Sequence, residues 1–162
     1  MVIKRNHAKI NFDASSINEG FARMVVMGFM MDMNPTMDEL EDVKTAVSEA
    51  VTNAIIHGYG DVSKENKDRV TEHQVEMICV REGNKLSITV TDFGAGIENI
   101  EEARMPFFTT KPEQERSGMG FAFMETFMDE VDVISKIGEG TRVTMCKYIN
   151  GENMSLKEKC DW

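Results

Sequence analysis

The stretch Ser48 to Tyr59, S-E-A-V-T-N-A-I-I-H-G-Y, limits what this chain can become more than any other. It closes a helix that the sequence predicts from Thr36 onward. Thr36 with Glu39 forms a capping box, and Leu40, Val43, Val47, Ala50, Val51, Ala54 and Ile55 recur at helical spacing. At about 100° per residue these side chains make one apolar stripe, while Glu49 and Asn53 project together from nearly the opposite side. Such a helix must bury one face against a second layer. The other face has two readings: an ordinary solvated surface, or a general base (Glu49) beside a hard oxygen ligand for Mg2+ (Asn53).

The remaining segments supply the second layer. His7 to Phe12 alternates as a half-buried strand. Ser16 with Glu19 makes a second capping box, and Ile17, Phe21, Met24, Val25, Gly28 and Phe29 carry an amphipathic helix to about Met31. Gln74 to Arg81 and Lys85 to Thr91 read as a hairpin across Glu82, Gly83 and Asn84. A helix from about Gly120 to Asp129 precedes strands from Val131 to Lys136 and Thr141 to Tyr148. Helices on one face of a mostly antiparallel mixed sheet bury all these stripes, which predicts an α/β (α+β) two-layer sandwich. Residues 1–148 form the expected single domain, and 149–162 a polar tail.

Charge narrows the partners. A net charge of −10 argues against direct contact with nucleic acid and suits a partner with a basic surface. No apolar run is long enough for a bilayer and Met1 to Phe12 is unlike a cleaved signal, so the expected compartment is the cytoplasm, with no membrane partner. Cys79 and Cys146 lie in predicted strands and Cys160 in the tail, with no C-x-x-C pair, so neither a disulfide framework nor a zinc site is indicated.

Two glycine clusters carry the chemistry. Strand Lys85 to Thr91 runs into D-F-G-A-G-I, Asp92 to Ile97, where Gly94 and Gly96 let backbone approach a flat ligand and Asp92 can accept a hydrogen bond from an exocyclic amine such as adenine's. The same letters also suit a plain turn. R-S-G-M-G-F, Arg116 to Phe121, opens the next helix, and glycine-rich amides at a helix N-terminus form an anion site suited to phosphates. Between the clusters, Arg104, Lys111 and Arg116 give an otherwise acidic chain a cationic stretch, read either as a lid over a polyphosphate or as a surface loop.

E-A-V-T-N-A at Glu49 to Ala54, D-F-G-A-G-I at Asp92 to Ile97, G-M-G at Gly118 to Gly120 and G-T at Gly140 and Thr141 resemble, in order, the four ATP-binding boxes of the GHKL superfamily. Within it, N-P-T-M-D-E-L, V-S-E-A-V-T-N-A-I-I-H-G-Y, I-E-E-A-R, F-T-T-K-P-E and E-R-S-G-M-G-F resemble the anti-sigma factor kinases of endospore-forming bacteria. The resemblance spans roughly Ile10 to Lys147. It implies the Bergerat ATP-binding fold and a serine kinase that takes ATP (leaving ADP) with Mg2+. Its partners would be an RNA polymerase sigma factor, held inactive, and a small anti-anti-sigma protein, phosphorylated on serine. The same resemblance implies a homodimer.

Carried onto this sequence, Glu49 would be the base that deprotonates the substrate serine and Asn53 the Mg2+ ligand. Asp92 would read adenine, with Gly94 and Gly96 admitting the base and Thr141 supporting its pocket. Gly118 and Gly120 would cradle phosphates, and Arg104 would neutralise charge on the terminal phosphate. Ile97, Thr109, Thr110, Lys111, Ser117 and Met119 stand in the matching words and would complete the nucleotide contacts. Arg23, four residues after Glu19, reads either as an exposed ion pair or as a partner-binding residue. His57, at the helix end, reads equally as a structural group or a nucleotide contact. A histidine-kinase catalytic domain would need a separate helical domain and is not expected. The rival reading is a nucleotide-gated binding protein that sequesters a sigma factor without transferring phosphate.

Overall fold

The computed structural model describes residues 4–60, 73–106 and 119–151. The charged loop Asp61 to Glu72, the tail beyond Gly151 and Cys160 lie outside them. Five strands, β1 (Arg5–Asp13), β2 (Gln74–Glu82), β3 (Lys85–Asp92), β4 (Glu130–Lys136) and β5 (Gly140–Tyr148), form one sheet in the order β1-β2-β3-β5-β4. All its pairings are antiparallel, so a mixed sheet's parallel component is missing among the described strands. The excursion through the helix before β4 brings β5 back beside β3 running the other way, and β4 folds out to the edge.

Alternation decides the two faces of the sheet. Val75, Met77 and Cys79 on β2 and Leu86, Ile88 and Val90 on β3 are almost solvent-free, and the register sets Met77 opposite Val90 and Cys79 opposite Ile88. Burial pushes the Cys79 thiol up to about 12, as suits an inert core thiol. The opposite face is polar, with Thr89 Oγ1 3.3 Å from Thr144 Oγ1 and Ser87 Oγ 3.3 Å from Cys146 Sγ.

Helices α1 (Asn18–Met30), α2 (Met37–Asn53) and α4 (Gly120–Phe127) lie over the apolar face, with a one-turn α3 (Ile100–Ala103) beside them. The cap of α2 forms as the sequence predicts: Thr36 N donates to Glu39 Oε2 at 2.8 Å and Glu39 N to Thr36 Oγ1 at 3.2 Å. The cap expected at Ser16 does not form. Helix α1 starts after Ile17 with no side-chain cap, because the Glu19 carboxylate is engaged by Arg23 and Thr52. The phase of α1 also differs from expectation. Ala22, Val26 and Met30 form its buried line, whereas Ile17, Phe21 and Met24 are exposed.

Two buried cations fasten the layers at the end of the sheet away from Asp92. Lys147 Nζ donates to Asp42 of α2 at 3.1 Å and to the Phe127 carbonyl closing α4 at 2.7 Å. Arg81 pairs with Asp32 and donates to the Gly83 carbonyl at 2.9 Å. Past β5, Ile149 is buried and Asn150, at φ 52°, donates from its side chain to the Met33 and Asn34 carbonyls. No helix among the described residues is long and apolar enough to cross a membrane.

Candidate functional site

Helix α2 is α-helical only as far as Asn53; Ala54–Gly58 widen into a π-helical turn. Inserted turns of this kind concentrate at functional sites because they re-aim the residues that follow. Here the turn sets the Gly58 carbonyl against the loop after β3, where it accepts the Ala95 N–H at 2.9 Å. The approach is so close that a Cβ on Gly94 would fall within the Gly58 carbonyl group, and a Cβ on Gly58 would stand 2.7 Å from the Asp92 carboxyl carbon. Gly94 therefore serves backbone packing, and it does not line the cavity that opens beside it.

That cavity has a volume of about 780 Å³, within the range of nucleotide and cofactor sites. Asn53, Asp92, Gly96, Ile97, Gly120 and Thr141, expected from the sequence, line it together with His57. Asp92 is 4% exposed and takes the Gly94 N–H on Oδ1 at 3.0 Å. Burial raises its carboxyl from the ordinary value to about 6, against the lowering effect of the backbone N–H groups of Gly94 and Thr141. Across the β3–β5 seam Thr141 pairs with Asp92, and Ser135 on β4 braces both the seam and the loop. Ser135 Oγ accepts the Ile97 N–H at 2.7 Å, donates to the Gly140 carbonyl at 3.0 Å, and lies 2.8 Å from Thr141 Oγ1.

Tyr59 completes this end. Its hydroxyl accepts the Phe93 N–H at 2.7 Å and donates to the Gln74 carbonyl at 2.7 Å, fastening the π turn to β2 and the β3 loop. Neither Ser135 nor Tyr59 is conspicuous in the sequence, since each acts through partners far along the chain.

At the other end, Glu49 and Asn53 meet the start of α4. A Cβ placed on Gly120 would lie 3.0 Å from Asn53 Nδ2 and 3.2 Å from Glu49 Oε2, so only glycine leaves both side chains where they are. Met119, at the N-cap of α4, has no oxygen to cap with, in contrast to Thr36 at α2 and Asn99 at α3. First-turn amides without a side-chain cap are an anion site by default. One amide oxygen, from Asn53, is a donor set suited to a hard cation that keeps most of its waters and takes phosphate oxygens, as Mg2+ does. Buried Asp92, the cavity volume and a helix start that has no side-chain cap among the described residues thus fit a nucleotide.

Arg104 stands apart from this group. Its Nε donates to Glu125 Oε1 at 2.5 Å and it does not line the cavity. Arg23, half-buried between α1 and α2 rather than exposed, pairs with Glu19 at 2.6 Å and reaches Ser48 Oγ at 3.2 Å. Thr109, Thr110, Lys111, Arg116, Ser117 and Gly118 lie outside the described residues.

The model of the histidine kinase-like ATPase domain matches residues 12–147. An anti-sigma F factor of Anoxybacillus flavithermus is 52% identical over 145 residues, covering 90% of this chain and 94% of that protein. One from Clostridium perfringens is 54% identical over 145 residues, covering 90% and 98%. Among solved structures, the RsbU and RsbW domains of a Mycobacterium tuberculosis protein match with a TM-score of 0.60 at 19% identity, over 89% of this chain and 32% of that one.

Proposed function

The chain belongs to the histidine kinase-like ATPase family and groups with the anti-sigma F factors, and from that premise we propose that it is an anti-sigma factor and a serine protein kinase. It holds a sporulation sigma factor of RNA polymerase inactive and, with ATP and Mg2+, phosphorylates an anti-anti-sigma protein on serine. The carrying observation is the meeting of Glu49 and Asn53 with Gly120 at the start of α4, where Asn53 and Gly120 line the same cavity as buried Asp92.

Phosphoryl transfer asks a protein mainly for alignment and charge neutralisation. Asp92 accepts the adenine amine, while Gly96, Ile97 and Thr141 shape the base pocket. The amides of Met119 and Gly120 hold phosphate oxygens, and Thr109, Thr110, Lys111, Ser117 and Gly118 extend that cradle. Asn53 would hold Mg2+, which would supply charge neutralisation for the phosphates. Glu49 takes the serine proton as the serine oxygen bonds to the terminal phosphorus and the bond to the ADP oxygen breaks. Arg104 neutralises the terminal phosphate after leaving Glu125, an exchange that costs little because both partners are half-exposed.

The partner surface includes Arg23, which is half-buried where α1 meets α2. Arg23→Glu is expected to weaken partner capture at least tenfold with ATP affinity unchanged; loss of both would remove Arg23 from that surface. The β1 edge, unpaired among the described residues, and the exposed Ile17, Phe21 and Met24 support a homodimer. A net charge of −10 supports a protein without nucleic-acid contacts, and the lack of a membrane-length apolar helix among the described residues is compatible with the cytoplasm.

The turn of Arg104 away from the cavity favours one rival, sequestration without transfer. Mass spectrometry of an anti-anti-sigma protein incubated with this chain, Mg2+ and ATP decides between them. Phosphoserine that forms with the native chain and is lost with Glu49→Gln supports the kinase. Its absence, with ATP-dependent sigma binding intact, supports the rival.

A further inference from the structure

Glu19 joins two helices at the level of the Glu49 and Asn53 pair. Its Oε1 accepts Arg23 Nη1 at 2.6 Å within α1, and its Oε2 accepts Thr52 Oγ1–H at 3.1 Å from α2. The same Arg23 nitrogen reaches Ser48 Oγ at 3.2 Å. Ser48 and Thr52 each immediately precede one of the site residues, Glu49 and Asn53. On a helix, neighbours in sequence sit about 100° apart, so Ser48 and Thr52 form one strip facing α1 while Glu49 and Asn53 form the adjacent strip facing Gly120 of α4.

Thr52 is the informative member. A threonine within a helix ordinarily bonds back to the carbonyl four residues earlier, as Ser48 does to Lys44 at 3.0 Å. The Thr52 hydroxyl instead crosses to Glu19. The crossing comes where the backbone is least able to set the helix phase alone, because the π turn begins at the residue after Asn53. Rotating α2 by about 10° would carry a side-chain tip about 6 Å from the axis through about 1 Å, and a displacement of that size can cost on the order of 100-fold in rate.

We infer that Glu19 and Thr52 are positioning residues: their hydrogen bond between α1 and α2 fixes the rotation of α2, and so aims Glu49 and Asn53 at the start of α4. The inference rests on the proposed kinase reading for its rate effect, but not for its geometry. Neither residue lines the cavity.

The test compares Thr52→Val, which keeps the shape and removes the hydroxyl, with Thr52→Ser, which keeps the hydroxyl. Three quantities are read for each: kcat and KM for serine phosphorylation, nucleotide affinity, and the side-chain amide resonance of Asn53 in the nucleotide-free protein. Thr52→Val is expected to lower kcat at least tenfold, with KM for ATP, nucleotide affinity and melting temperature within about twofold or two degrees, and to shift the Asn53 resonance. Thr52→Ser is expected to restore both kcat and resonance. Glu19→Ala should reproduce the Thr52→Val effect, and the double variant should lose no more than either alone.

Native kcat in Thr52→Val, failure of Thr52→Ser to rescue, or additive losses in the double variant would overturn the inference. If the native chain transfers no phosphate, the kinase reading fails by itself. The Asn53 resonance then decides the positioning role: shifted by valine and restored by serine supports it, and unchanged by valine overturns it.

Discussion

At one end of the cavity Asp92 is 4% exposed, packed under Gly58 and braced through Gly94, Thr141, Ser135 and Tyr59. At the other, Asn53 lines the cavity with Glu49 beside it; both are only half-buried, stand against Gly120 at the start of α4, and on our inference take their aim from contacts with α1. The first end is set by backbone packing that tolerates no added carbon. The second is held by side-chain hydrogen bonds between helices. Recognition of a flat base requires a fixed surface, whereas alignment for a transfer step must admit a second protein and then release it.

Four changes separate the two ends, in descending size of effect. Glu49→Gln should reduce phosphoryl transfer by about 10²- to 10⁴-fold, the usual contribution of a general base, and leave ATP affinity within about twofold by titration calorimetry. A matching loss of affinity would mean that the two ends are not separable. Gly94→Ala should destabilise the fold by about 3 kcal/mol in denaturant unfolding, because the added carbon meets the backbone of Gly58, which has no rotamer to yield. A mild cost there would break the claim that this end is rigid.

Asp92→Asn should weaken nucleotide binding about 10- to 100-fold while raising the stability of the free protein. The sign follows from burial. Well below the ordinary value of 3.8 the Asp92 carboxyl is protonated whether the chain is folded or not; between there and about 6 the folded form keeps the proton that the unfolded form loses. The unfavourable burial of the charged form thus appears as pH rises from about 4 and is complete above about 6, amounting to no more than about 3 kcal/mol. Thermal melts should show the gain in Asp92→Asn above pH 6 and none below pH 4. Native ATP affinity should fall as pH drops through about 6, with a flatter profile in the variant. Smallest of the four, Tyr59→Phe should cost about 1–2 kcal/mol of stability, having removed two hydrogen bonds between elements that stay packed.

What the sequence disclosed follows the range of the interactions. Thr36 and Glu39 cap α2 through contacts three residues apart, and the strands alternate visibly, so both were legible. The apolar face of α1 was not, since Ile17, Phe21 and Met24 are as hydrophobic as the buried Ala22, Val26 and Met30 and only the neighbouring helix selects among them. Helix α3 has a readable cap in Asn99, whose side chain accepts the Glu102 N–H, but at one turn it is too short to show a helical period in the sequence. The π turn had no local signal, because it is set by the Gly58 carbonyl meeting Ala95 and Gly94 far along the chain. Ser135 and Tyr59 were hidden for the same reason.

The pairing of β3 with β5 has a consequence for how the molecule assembles. β1 to β3 precede the α4 segment in the chain, and β2 and β3 can zip as a local hairpin, as can β4 and β5. The β3–β5 seam closes only when these two halves find each other, a long-range step that carries the larger loop-closure entropy. Asp92 and Thr141 face each other across that seam. The nucleotide cavity is therefore absent from either half alone and comes into being only as the seam closes, so a bound nucleotide would act as a brake on the seam's reopening.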